Sequence, residues 1–220
     1  MILWVDIETT GLDVPSDFIL EVALVLTTNN LVPVHSFEVL IQPLIPFSAI
    51  SMDPFVVNMH EKSGLFDQVT KNGVHIYEAS NELVAWMGEV GITKGDLPMA
   101  GSSVGFDRSF LKRHMPEVES MFHYRNIDVS TVKELAKCWG GEMPRRVGAA
   151  AHRAHDDIMA SISELQHYRD TGFLGAAAGP PPPVPATKTD KRDIGHWCVV
   201  TDAYRPTAIA WEEPELPFPK

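Results

Sequence analysis

Residues 2–12 read Ile-Leu-Trp-Val-Asp-Ile-Glu-Thr-Thr-Gly-Leu, an apolar run that carries two acids near its end and then meets a glycine. The run predicts a β-strand, and an i, i+2 spacing on a strand sets Asp6 and Glu8 on one face. Gly11 then turns the chain away. Two more β-rich runs follow at 18–28 and 35–42, separated by turn residues (Gly11, Asp13 and Pro15, then Asn29 and Asn30). Connections this short predict an antiparallel meander. Helix and strand then alternate. A helix over 77–90 carries Leu83, Val84, Trp86, Met87 and Val90 at helical spacing. A strand at Pro98–Gly101 precedes a helix near 106–114. A strand at 126–129 leads to a helix capped by Ser130 and ending at Trp139. A final helix over 154–169 buries Ile158, Ile162 and Leu165. Three antiparallel strands followed by this alternation predict an α/β fold, one mixed sheet with flanking helices.

The whole chain has 220 residues, 45% hydrophobic and 21% charged, which suits one domain plus an appendage and excludes wholesale disorder. No apolar run reaches the roughly 18–20 residues of a membrane span. The N-terminus lacks the basic start of a signal peptide. Cys138 and Cys198 stand far apart in no ligand spacing, which argues against a disulfide framework or structural zinc and fits a reducing cytoplasm. Five Lys/Arg against six Asp/Glu from residue 175 onward leave −10 of the net charge of −11 on residues 1–174. So acidic a body is unsuited to coating long nucleic acid. A small anionic substrate held at one local site is compatible with it.

Composition shifts near residue 172. Residues 1–172 read as the body, and 173–195 as a linker rich in Pro and Ala. Residues 196–220 form a short extension whose Tyr-Arg-Pro turn at 204–206 predicts a β-hairpin. An isolated hairpin is marginal in water, so it would need a surface to dock on.

Three segments carry acids that suit chemistry. Asp6 and Glu8 come at the tip of an otherwise apolar strand, and ligands collect at strand ends in such sheets. Asp107 lies in a small-residue loop that opens a helix. His152 precedes the last helix, and Asp157, with Asp156 as the alternative, lies in its first turns. Each segment alone has an ordinary explanation: solvated acids, a helix-dipole complement, a cap. Together they point to a divalent cation, the usual compensator of crowded carboxylates.

Four segments resemble the oligoribonucleases, the small-RNA members of the DEDD 3′→5′ exonucleases with a catalytic histidine. They are Asp-Ile-Glu-Thr-Thr-Gly-Leu at 6–12, Ala-Gly-Ser-Ser-Val-Gly-Phe-Asp-Arg-Ser-Phe-Leu at 100–111, His-Tyr-Arg-Asn-Ile-Asp-Val-Ser-Thr-Val-Lys-Glu-Leu at 123–135 and His-Arg-Ala-His-Asp-Asp-Ile at 152–158. The resemblance covers about 1–172, and the segment at 123–135 is its most specific part. It implies an RNase H-like fold and hydrolysis with two divalent ions, Mg²⁺ or Mn²⁺. Asp6, Glu8, Asp107 and Asp157 match the metal-binding acids and His152 the general base. Short RNA, from dinucleotides to about five nucleotides, would yield 5′-mononucleotides. Ser103, Arg125, Ser130 and Lys133 match residues that hold a terminal 5′ phosphate. Leu12, Phe55 and His60 match further substrate-binding positions, and Tyr124 the tyrosine sent into a partner subunit's site, which implies a homodimer. Phe55 stands where the family carries Trp, Ser102 replaces Asn, Phe106 a polar residue and His155 a Leu.

Two other readings share this body. A proofreading-type DNA exonuclease would use the same acids, and residues 123–135 speak against it. A catalytically idle nucleotide-binding or scaffold protein would put the work in the tail, and the five intact catalytic positions speak against that.

Overall fold

The computed structural model describes residues 1–144 and 152–174. The expected linker beyond residue 174, the segment 196–220 with its expected β-hairpin, and the two adjacent arginines Arg145 and Arg146 lie outside the described residues. The sheet has the order β3-β2-β1-β4-β5, built from β1 (Ile2–Thr9), β2 (Ile19–Thr27), β3 (Pro33–Leu40), β4 (Pro98–Gly101) and β5 (His123–Asp128). β1–β2 and β2–β3 pair antiparallel, whereas β1–β4 and β4–β5 pair parallel. This is the expected mixed sheet.

Seven helices flank it among the described residues: α1 (Pro54–Ser63), α2 (Leu65–Asn72), α3 (Ile76–Glu89), α4 (Gly105–His114), α5 (Pro116–Glu119), α6 (Val129–Trp139) and α7 (Ala154–Asp170). None is long and apolar enough to cross a membrane. Alternation along β1 decides where the site lies. Leu3, Val5 and Ile7 join one core with Leu83 and Met87 of α3 and Phe110 of α4. Trp4 points the other way, into a second core with Ala23, Val25 and Ile158, Ile162 and Tyr168 of α7. Asp6 and Glu8 continue the Trp4 row, so they face α7.

Trp4 is fully buried, and its indole N–H donates to Thr27 Oγ1 at 3.0 Å. Trp4→Ala should cost about 3–5 kcal/mol through the cavity and the lost hydrogen bond to Thr27, read as a lower urea midpoint.

Several boundaries differ from the sequence reading. β3 begins at Pro33. β5 begins at His123, because this edge strand buries no residue fully and shows no apolar run. The α6 cap is Asp128, whose carboxylate accepts from Ser130 N at 2.9 Å; Ser130 is the second helical residue. α1, α2 and α5 carried no sequence expectation.

Candidate active site

β1 ends at a bulge between Glu8 and Thr9, where Thr10 Oγ1 donates to Asp17 at 2.8 Å. A Cβ at Gly11 would meet the Asp17 carboxylate at 2.4 Å, so a larger residue there would have to displace a side chain that Thr10 and Asp13 N hold in place. The strand tip therefore folds tightly beside the acids.

The structure brings Asp6, Glu8 and Asp157 together, with one carboxylate oxygen of each within 4.8 Å of the others. Asp156 is not part of this cluster. Asp107, in the first turn of α4, is buried beside it, and its Oδ1 accepts from Ile7 N at 3.1 Å. Burial lifts all four acids above their usual range, and repulsion adds to it. Asp6 is raised by burial, then by Asp107, Glu8 and Asp157. Glu8 reaches about 8 through burial, then Asp157 and Glu21. Asp107 reaches about 7, mainly through burial. Asp157 is raised by burial, and the His152 imidazole nearby works against that rise. Crowded, desolvated oxygen donors of this kind fit hard divalent cations such as Mg²⁺ or Mn²⁺.

His152 lies just before α7 with φ 50°. Ser103, at the β4–α4 loop, has φ 55°. Left-handed backbone is costly for both and persists only where the surroundings enforce it. His60 of α1 is fully buried. Its Nε2–H donates to the Thr9 carbonyl at 2.8 Å, so Nδ1 carries a free lone pair. That Nδ1 stands 3.9 Å from Glu8 Oε2 and has no hydrogen-bond partner among the described residues. Burial lowers the His60 pKa.

The expected phosphate-holding residues fall in two groups. Ser103 and Ser130 meet at 3.1 Å between their hydroxyls, and Asp128 Oδ1 accepts from both backbone N–H groups at 2.9 Å. Lys133 is instead ion-paired with Glu164 at 2.9 Å, a carboxylate that also accepts from the Tyr168 hydroxyl. Arg125 lies over the Tyr124 ring at 5.4 Å, and both residues are exposed on the edge strand β5. Leu12, Phe55 and Tyr124 are 80%, 69% and 74% exposed, the large apolar surfaces a stacking site would leave open. Among the departures, Ser102 bonds Ser161 at 2.8 Å, Phe106 packs on Phe110, and His155 is a partly exposed helix residue.

Sequence reasoning missed four supporting residues. Arg108, next to Asp107, reaches β5 and donates to the His123 carbonyl at 2.8 Å and to Asn126 at 2.6 Å. Asp128 ties the Ser103 loop to α6. Buried Glu21 and partly exposed Arg153 form an ion pair at 2.6 Å. Only Glu21 had a readable signal, a lone charge inside an otherwise apolar strand.

Comparison with known proteins gives a consistent result. The exonuclease family of the RNase T type matches residues 3–165. The oligoribonuclease of Colwellia psychrerythraea is 40% identical over 181 residues, covering 78% of this chain and 95% of its own. That of Azoarcus sp. is 43% identical over 179 residues, covering 80% and 96%. Among solved structures, Pop2p of S. pombe in its Mg²⁺- and Mn²⁺-bound form superposes with a TM-score of 0.59 at 13% identity, covering 80% of this chain and 85% of that one. E. coli exonuclease I in complex with a dT13 oligonucleotide gives 0.59 at 15%, and this chain covers only 42% of it. Both superpositions establish a shared fold.

Proposed function

The chain belongs to the RNase T exonuclease family, in its oligoribonuclease branch, and on that footing we propose that it is a 3′→5′ exoribonuclease of short single-stranded RNA, from dinucleotides to about five nucleotides. The observation that carries the reading is the convergence of Asp6, Glu8 and Asp157 within 4.8 Å, with Asp107 buried alongside. We assign these four acids to two divalent cations, Mg²⁺ or Mn²⁺. Bound there, such ions supply a more acidic water and offset charge on the scissile phosphate.

The chain's own residues do the rest. His152, poised before α7 beside Asp157, accepts the proton of the attacking water at a ring nitrogen. His60 offers its bare Nδ1 to a hydroxyl of the terminal nucleotide. Leu12 and Phe55 present apolar faces to the bases. Ser103, Ser130, Arg125 and Lys133 take the 5′ phosphate and close the far end of the site. Lys133 does so while sharing its charge with Glu164. Tyr124 of a second copy completes each site, which makes the working form a homodimer. A closed end also accounts for an acidic body that binds RNA locally.

Ser130→Ala should raise KM for a 5′-phosphorylated dinucleotide about tenfold and barely change it for the unphosphorylated one, as steady-state kinetics would show. Residues 1–172 are proposed as the catalytic body, so a chain ending at 174 should hydrolyse dinucleotides within about twofold of the full chain. The test of the whole reading is a product assay on dinucleotide, pentanucleotide and twenty-nucleotide RNA, with and without Mn²⁺. We expect 5′-mononucleotides, fastest from the dinucleotide and only with metal. Equal turnover of the long strand would favour a proofreading-type enzyme, and no turnover at all an idle fold.

A further inference from the structure

We infer that Glu21 is a positioning residue whose grip on Arg153 sets the place of His152. The inference rests on the proposed role of His152 as the base. Glu21 lies on β2 directly opposite Glu8 in the ladder, fully buried, on the face that α7 covers. A fifth carboxylate so close to the cluster invites assignment as one more cation ligand. Its hydrogen bonds argue otherwise. Oε1 accepts from Arg153 Nη2 at 2.6 Å and Nε at 3.1 Å; Oε2 accepts from Nε at 3.1 Å and from Ala154 N at 3.0 Å. Both oxygens are committed to residues 153 and 154.

Those residues form the joint between the imidazole and the last acid. Arg153 follows His152 directly, and its carbonyl accepts from Asp157 N at 3.0 Å. Arg153 occupies the N-cap position of α7 but caps with no side chain of its own. The orphan N–H of Ala154 is satisfied from across the sheet, by Glu21. The backbone changes abruptly here, from φ 50° at His152 to φ −132° at Arg153. A left-handed residue needs its neighbours held, and the clamp holds the one that follows it. The guanidinium grips the carboxylate with two nitrogens, a geometry that fixes direction as well as distance. So a buried acid beside the cation site acts through Arg153 on the histidine, while the cations are left to the other four.

The test uses the full chain with saturating Mn²⁺ and a 5′-phosphorylated dinucleotide. Glu21→Gln, Arg153→Lys, His152→Ala and the double variant His152→Ala/Glu21→Gln are compared. Glu21→Gln should lower kcat about 10- to 100-fold with KM within about twofold. Its Mn²⁺ affinity by calorimetry should stay within about threefold of wild type. In the His152→Ala background the same substitution should change the residual kcat less than about twofold, because its target is gone. Arg153→Lys keeps the charge but not the two-nitrogen grip, and should lower kcat about tenfold while remaining folded by circular dichroism. It carries the test if Glu21→Gln does not fold. Wild-type kcat in a folded Glu21→Gln or Arg153→Lys, additive losses in the double variant, or a fall in Mn²⁺ affinity matching the fall in kcat would each overturn the inference. Full activity in His152→Ala would remove the base assignment and this inference with it. A dead His152→Ala beside a fully active Glu21→Gln would remove this inference alone.

Discussion

Asp157→Asn should lower kcat on a 5′-phosphorylated dinucleotide by about 10³-fold or more, and His152→Ala by about 10²- to 10⁴-fold, both with the fold intact. Asp157 enters the cluster from α7, whereas Asp6 and Glu8 come from β1. Loss of its charge leaves the cation site open on the helix side. The fold should survive because Asp157 strains the ion-free cluster: burial and the neighbouring carboxylates Asp156 and Glu21 raise its pKa. Without metal, Asp157→Asn should melt no lower than wild type. His152 is partly exposed and lies outside the helix, so its removal leaves no core cavity. Rapid-quench kinetics and metal-free melting curves check both halves. Wild-type turnover in either variant would end the assignment.

The second large effect is the response to metal and pH. A carboxylate whose folded pKa is raised contributes stability that is complete below its unfolded pKa and lost as pH rises through the folded one. For Glu8 that window runs from its ordinary 4.5 to about 8, and for Asp107 from 3.8 to about 7. Asp6 and Asp157 shift in the same direction. The metal-free protein should therefore lose stability from about pH 4 to pH 8. A divalent cation replaces the missing positive charge, and its binding releases protons. Saturating Mn²⁺ should raise Tm by about 5–10 °C at pH 8 and by less than about 2 °C at pH 5. Calorimetry in buffers of differing ionisation heat should find protons released on binding at pH 7. A Tm gain independent of pH, or none, would contradict the arrangement.

How much of this was legible depends on where each residue's constraint came from. β1 was readable because its apolar row ends in acids two residues apart, so one alternation fixed both the core and the site face. α7 was readable because Ile158, Ile162 and Leu165 repeat at helical spacing. α1 was not, because its ten residues bury only His60 and carry no apolar stripe, although Asp53 before Pro54 is a usable start signal. β5 was half missed because an exposed edge strand needs no alternation. The pairing of Lys133 with Glu164 joins residues on different helices, 31 positions apart, and no local pattern encodes it. Glu21 marks the boundary: its oddity was visible, but its partner 132 residues away was not.

The central claim is that acids from three distant stretches hold cations beside an imidazole. Anomalous scattering from Mn²⁺-soaked crystals tests it most directly. The account predicts two manganese peaks ligated by Asp6, Glu8, Asp107 and Asp157 within reach of His152, with Glu21 still bound to Arg153. Manganese held elsewhere, or acids that stay unligated at saturating metal, would contradict it.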